Sequence, residues 1–529
     1  MRGAYRFFAA MLAQPFLMLL WLAIGVFPAW AQTGTPAPRT PDPCASGHEF
    51  ATTDCTLTWH GITLYGAYDV GFGWVSHGLP ENGYNYEGAS LVNRNGFEHR
   101  FLVAPNNLSQ TGLGIRGKEE FAHGWYVVFN ANTGINPQSG LLANASATDT
   151  INNGLPRGSY SYAIDGTRAG QPFNDEIYGG ISSTQFGTLT FGRQRSLGTD
   201  AMLLYDPAGG SYAFSYIGYN GTMAGGGDTE NSRWDSAAKY RLAYGPVHFG
   251  AMYKFADGSG GCYSATATWT AANCTPESAH NNAFGFDLGG EYSKKFSGDI
   301  VYQHYNQAIS VLNPLLGPQS PATQSLGYTQ SLTNSINTNP INGGDGLGPN
   351  LISPTNTVYG IVTDNSAIML AAKYAWNPFK FYGGYEHILQ DNPVNPLGVG
   401  ASDQGGYIMS GVEDNNLDSP KHVDIWWMGA KYAYDSKTDI TLSWYHQRQN
   451  DFRLPPTCTP SSFRASCAGS LNELSLYTDH HFTKRFDGFL GLAYSYVNGG
   501  LAIAIPHGPG VPYLHNSNFA PTVGGRFSF

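Results

Sequence analysis

After Gln32 the chain has no run of 18 or more apolar residues, so no transmembrane helix is indicated. Charge is scarce too. Asp, Glu, Lys and Arg together make 12% of the 529 residues, against roughly 25% in average soluble proteins. The charge present is net acidic, −10 with neutral His, which argues against a nucleic-acid partner because that binding needs a basic footprint. No Ser lies in a G-x-S-x-G setting and no H-E-x-x-H occurs, so two hydrolase signatures are missing. No pair of cysteines has C-x-x-C spacing, and no metal site or cofactor is expected from spacing.

Glycine (67 residues) and aromatics (14%) are abundant. Arg2 and Arg6 precede an apolar run from Phe16 to Trp30 that ends in Ala29-Trp30-Ala31, the pattern of a secretory signal peptide. Residues 1–31 are therefore expected to be removed, which takes the formal charge from −10 to −12. Residues 32–58 are rich in Pro and Thr and read as an extended periplasmic arm, with the main domain over 59–529. In an oxidising compartment the six cysteines fit disulfides between neighbours within a loop: Cys44 with Cys55, Cys262 with Cys274, Cys458 with Cys467. The sequence alone leaves that connectivity open.

From Leu64 the even positions read Leu64, Gly66, Tyr68, Val70, Phe72 and Trp74, and the odd ones Tyr65, Ala67, Asp69, Gly71 and Gly73. Strict period two with one apolar face and one small or polar face describes a strand between two environments. Leu490, Leu492, Tyr494 and Tyr496 likewise oppose Gly491, Ala493 and Ser495. The apolar faces end in Tyr, Trp or Phe, as an aromatic girdle at a membrane interface does. Seven tight connections join alternating runs, around Ala122-His123-Gly124, Gln185-Phe186-Gly187, Gly245-Pro246, Phe296-Ser297-Gly298, Asn377-Pro378, Asp435-Ser436-Lys437 and Arg485-Phe486-Asp487. With a first and a last strand they predict an all-β, 16-stranded antiparallel transmembrane barrel, with long loops over 76–108, 136–173, 196–232, 256–281, 307–364, 389–420, 450–470 and 499–516. The chain ends on a strand at Phe529, which must pair with the first strand because an open edge cannot face lipid.

Taken in order, ITLYGAYDVG (Ile62 to Gly71), GLGIRGKEEF (Gly112 to Phe121), FNDEIYGGISSTQFGTLTFGRQ (Phe173 to Gln194), SAAKY (Ser236 to Tyr240) and the terminal GGRFSF carry a family resemblance. The chain resembles the general porins of Gram-negative outer membranes, especially the β-proteobacterial trimeric branch. That resemblance implies a homotrimer in the outer membrane, in contact with its lipid and lipopolysaccharide. It implies a third loop folded into the pore, and Phe529 as a signal read by the outer-membrane assembly machinery. Three departures stand out. The chain is longer than its family, Gly112 stands where the family often has Arg, and Asp175 with Glu176 stands where it often has Arg in the fourth strand. These departures put in doubt the anion preference common in the branch.

The expected constriction sets basic wall residues Arg116, Lys118, Arg233, Lys239 and Arg241 against the carboxylates of Asp175, Glu176, Asp200, Asp206, Asp228 and Glu230. Two unit charges about 8 Å apart interact by roughly 0.5 kcal/mol in water and about 2 kcal/mol at an effective dielectric of 20. Such energies bias ions without trapping them. Arg193 shares parity with Leu189 and Phe191 and is expected to face outward, towards a subunit interface. Gly112-x-Gly114-x-x-Gly117 lies within a strand, not between a strand and a helix, so it is no dinucleotide fingerprint. Asp479-His480-His481 read as interfacial residues, and Gly343-Gly344-Asp345-Gly346 as a loop with only a faint calcium-repeat echo.

The function expected is passive diffusion of small hydrophilic solutes and ions, with a preference for cations and no catalysis. The rival readings are a substrate-specific porin with a lumenal affinity site, an outer-membrane enzyme, and an adhesin.

Overall fold

The computed structural model describes residues 43–76, 99–105, 107–135, 137, 172–219, 233–255, 282–306, 310–312, 359–361, 364–391, 403–404, 407–408, 419–452, 468–499 and 517–529. Residues 1–31, Asp228, Glu230, the loop motif at 343–346 and the cysteines 262, 274, 458 and 467 lie outside them.

Among the described residues sixteen antiparallel strands close into one barrel. They are β1 (Ile62–Val75), β2 (Gly112–Ala122), β3 (Trp125–Gly134), β4 (Glu176–Ser183), β5 (Gly187–Arg195), β6 (Arg233–Tyr244), β7 (Val247–Lys254) and β8 (Ala283–Tyr292). The ring continues through β9 (Phe296–Tyr305), β10 (Asp364–Trp376), β11 (Phe379–Asp391), β12 (Lys421–Ala433), β13 (Thr438–Gln449), β14 (Gly469–His481), β15 (Phe486–Gly499) and β16 (Ser517–Ser528). Closure runs from Ala67↔Ser528 to Gly73↔Thr522, with Gly66 and Phe529 exchanging backbone hydrogen bonds of 2.9 and 3.0 Å.

Period two in the sequence becomes two chemical faces. Leu64, Tyr68 and Phe72 on β1, Ile300 on β9, and Leu490 and Tyr494 on β15 are exposed, while Asp69, Gln303, Ala493 and Ser495 are buried. An apolar exterior of this extent is tolerable only against lipid. Tyr244, Tyr292, Trp376 and Tyr434 stand exposed beside the tight turns, where an interfacial girdle belongs.

Several boundaries move from the sequence expectation. The eighth-to-ninth turn sits at Ser293–Lys295, where Ser293 and Lys294 take positive φ, so Phe296 opens β9. The turn before β15 likewise precedes Phe486. The first loop is shorter than 76–108 because Arg100–Pro105 already pairs with β1, from Val70↔Pro105 to Val75↔Arg100. This piece and β2 share β1 as partner, and the break between them is held by Asp69. Its carboxylate accepts from the backbone N–H groups of Asn107 (3.0 Å), Leu108 (2.8 Å) and Ser109 (2.8 Å).

Arg193 does not face outward. The β5–β6 register slips between Gly192 and Gln194, Gly192 takes φ 131°, and alternation is lost there. Arg193 is buried, with Nε and Nη2 donating to the Asn174 carbonyl at 3.2 and 3.0 Å.

The described part of the arm is anchored. Cys44 and Cys55 form a disulfide around α1 (Gly47–Thr52), whose N-cap is Ser46. Leu57–Trp59 then pairs with Ile62–Leu64, on the edge of β1 that β16 occupies further along. Arg485 stacks on the Phe50 ring at 4.3 Å and donates to the carbonyls of Phe50 (3.0 Å) and Cys55. Cys44→Ser, which reopens this small loop, is expected to weaken the docked arm by about 3 kcal/mol. The check is protease cleavage within residues 43–56, which should accelerate; an unchanged rate would assign the docking to Arg485 alone.

Candidate functional site

The connection leaving β5 is not structureless, as its length had suggested. Ser196 caps α2 (Leu197–Tyr205) by accepting from the Thr199 N–H at 3.2 Å, and Asp200 in the first turn suits the positive helix terminus. The helix stops at Asp206, before Pro207. A further helical turn, α3 (Tyr216–Tyr219), follows.

Hydrogen bonds from this connection reach strands far around the ring. The Gly198 N–H donates to Gln303 of β9 at 2.9 Å, and the Tyr205 hydroxyl to Asp299 of β9 at 2.9 Å. Trp427 of β12 donates to the Tyr205 carbonyl at 3.1 Å, and Tyr445 of β13 to Asp206 at 2.6 Å. Ser475 of β14 donates to the Phe214 carbonyl at 2.6 Å, and Phe214 stacks on Tyr477 at 4.6 Å. Ser211 donates to the Asn107 carbonyl, at the break that Asp69 holds. Gly429 makes the fit possible, since a Cβ there would lie 2.6 Å from Pro207.

On the near side the expected charges meet. Asp200 accepts from Lys239 (2.5 Å) and Arg241 (2.6 Å), and Arg241 reaches on to Asp287 of β8. Burial alone would raise the Asp200 carboxyl, but Lys239 and Arg241 outweigh it and hold the group below the ordinary carboxylate range. Asp175, just ahead of β4, pairs with Arg195 at 3.1 Å and with Arg233, and accepts from Asn132 at 2.6 Å. Glu176 accepts from the Arg195 N–H (3.1 Å) and from Asn130 (3.3 Å). A cavity of about 350 Å³ opens beside these groups, lined by Tyr65, Asn132, Asp175, Arg195, Leu203 and Tyr212.

The remaining expected residues are placed differently. Arg116 and Lys118 lie nearer the turn end, over the Tyr65 ring at 5.1 Å and the Tyr126 ring at 4.2 Å. Asp206 is buried and committed to Tyr445 and to the N–H groups of Ala208 (3.2 Å) and Gly210 (2.6 Å). His480 bonds Thr438 at 2.9 Å and His481 bonds Asp487 at 2.6 Å, on opposite faces of β14. Arg195, Asp287 and Asp299 went unnoticed in the sequence. Alternation alone put Asp287 and Asp299 on the polar faces of their strands, and nothing in it distinguished them from ordinary lumen polarity.

A model of the Gram-negative porin family matches residues 43–500. The chain belongs to the Gram-negative porins. An outer membrane porin protein of Bordetella pertussis is 25% identical to this porin over 196 residues, which is 37% of this chain. The chain spans 42% of the length of that curated relative. Among solved structures, an anion-selective porin from Comamonas acidovorans aligns with TM-score 0.50 at 15% identity, over 88% of this porin and 99% of that chain. OmpT, an outer membrane protein of Vibrio cholerae, aligns with TM-score 0.48 at 11% identity, over 90% of this porin and all of that chain. The Comamonas likeness, at 15% identity, shows the fold alone. Family membership and the lipid-adapted barrel together place the porin in a Gram-negative outer membrane.

Proposed function

We propose that this porin is a passive, water-filled channel for small hydrophilic solutes and ions, that residues 196–219 cross and narrow its lumen, and that it prefers cations. The observation carrying the reading is the ladder of alternating charge from Lys239 through Asp200 and Arg241 to Asp287, which links α2 to β6 and β8 on one side of the barrel. Charges fixed across a narrow aqueous neck bias ions while leaving passage fast. Among the described residues five carboxylates (Asp175, Glu176, Asp200, Asp287, Asp299) stand there against four cations (Arg195, Arg233, Lys239, Arg241), and the chain as a whole is acidic. The excess is one charge, so the expected preference is weak. The proposed function includes no chemistry on the solute.

The same proposal covers the assembly: residues 1–31 as an export signal, 32–58 as a periplasmic arm, 59–529 as the barrel, a homotrimer, and Phe529 as a recognition signal for insertion. Phe529 is well placed, for its backbone bonds to Gly66 close the seam. In planar bilayers under a potassium chloride gradient, the reversal potential should carry the sign of cation preference; the chloride sign would overturn the selectivity. Arg116→Gln, whose guanidinium lies over the Tyr65 ring, should shift that potential less than Lys239→Gln, which removes a direct partner of Asp200 and should move it further towards cations.

A further inference from the structure

Three neighbouring strands bring His248 of β7, Asp287 of β8 and Asp299 of β9 together, with one donor atom from each lying within 4.8 Å of the others. The pairing produces this arrangement directly. His248 and Asp299 are the two cross-strand partners of Gly289, and Asp287 is two residues along on the same face. His248 Nε2 and Asp299 Oδ1 are 2.9 Å apart.

Two further observations point to a ligand. Asp287 and Asp299 are both more than nine-tenths buried, and Asp287 Oδ1 has no hydrogen-bond partner among the described residues, because Arg241 takes Oδ2. An unpaired buried carboxylate oxygen is costly unless something occupies it. Second, a Cβ at Gly289 would stand 1.8 Å from Asp299 Oδ1 and 2.5 Å from His248 Nε2. The glycine keeps open the space between the donors.

We propose that His248, Asp287 and Asp299 form a binding site for a divalent transition-metal ion of the zinc class in the wall of the barrel. One imidazole and two carboxylates suit zinc, which accepts His nitrogen and Asp oxygen and completes four-coordination with water. Calcium and magnesium favour more, and all-oxygen, ligands. The ion takes the place of the proton between His248 and Asp299 and engages the free Oδ1 of Asp287. The Tyr205 hydroxyl, which donates to Asp299 Oδ1, orients that carboxylate from α2 as an outer partner. Among the described residues Arg241 is the one cation bonded to the cluster, and its attachment to Oδ2 and to Asp200 draws its charge away from the ligand side. The spacing of these residues in sequence carries no metal signature, since each comes from a different strand.

The test is zinc binding by the folded full-length porin in detergent micelles, read by equilibrium dialysis with metal analysis and independent of any conductance. Wild type should hold zinc saturably, and His248→Ala and Asp299→Asn should each weaken binding by about tenfold or more. Gly289→Ala, which keeps every ligand and fills the space between them, should also weaken it. Asp479, His481 and Asp487 form a second such group, so His481→Ala serves as the control and should leave this site unchanged. Folding of each variant is confirmed by its circular dichroism. No saturable binding by wild type, or binding lost only with His481→Ala, would overturn the proposal.

Discussion

Asp69→Ala is expected to destabilise the folded porin by about 3 kcal/mol or more, because each buried backbone donor left without an acceptor costs roughly 1–3 kcal/mol. Three such donors, the N–H groups of Asn107, Leu108 and Ser109, depend on this one carboxylate. The Asn107 side chain adds a weaker contact at 3.3 Å. The damage should not stay local. The Asn107 carbonyl receives Ser211 and, at 3.4 Å, the Ala213 N–H, so the turn that Asp69 shapes is also a mooring for the connection after α2. Urea unfolding in micelles measures the stability, and single-channel noise reports the loosened connection. Asp69→Asn keeps one carbonyl oxygen and should fall between wild type and alanine. A loss below about 1 kcal/mol for the alanine variant would mean that water satisfies the three donors.

Asp175→Asn should cancel the excess of negative charge at the neck and destabilise the barrel together. Asp175 is buried between Arg195 and Arg233, and Arg233 is itself buried. Breaking a buried ion pair by removing one partner costs about 3–5 kcal/mol, since the remaining charge stays buried and unpaired. Here two guanidinium groups, those of Arg195 and Arg233, lose that carboxylate. The selectivity change follows from the Coulomb energy of one unit charge at about 8 Å, roughly 0.5 to 2 kcal/mol, which lowers cation occupancy by between about twofold and about thirtyfold and raises anion occupancy by a similar factor. Reversal potential gives the ratio, and urea unfolding the stability. A selectivity equal to wild type would show that Asp175 and its arginines lie off the ion path.

These two residues show how far reading the sequence goes. Asp69 was legible as a polar position on the inward face of β1, because period two fixes which face each side chain takes. Its task was not legible, since the three donors come from a turn about forty residues later. Asp175 was read as a carboxylate replacing a wall arginine, and so as an unbalanced negative charge. The structure gives it two arginines, one on β5 and one on β6, because the register Ile177↔Arg193 and Arg195↔Arg233 brings the end of β5 and the start of β6 to the start of β4. Arg193 failed for a related reason: parity counting assumes an unbroken ladder, and the slip at Gly192 breaks it.

The sequence by itself determined the strand count, the two-faced wall and the closing strand at Phe529. All of these follow from local alternation. Only the tertiary structure decided what the connection after β5 touches, which carboxylates are compensated, and that His248, Asp287 and Asp299 converge. Barrel closure sets the first, bringing residues hundreds of positions apart to the connection, and strand register sets the other two; no periodicity along the chain encodes which residues meet.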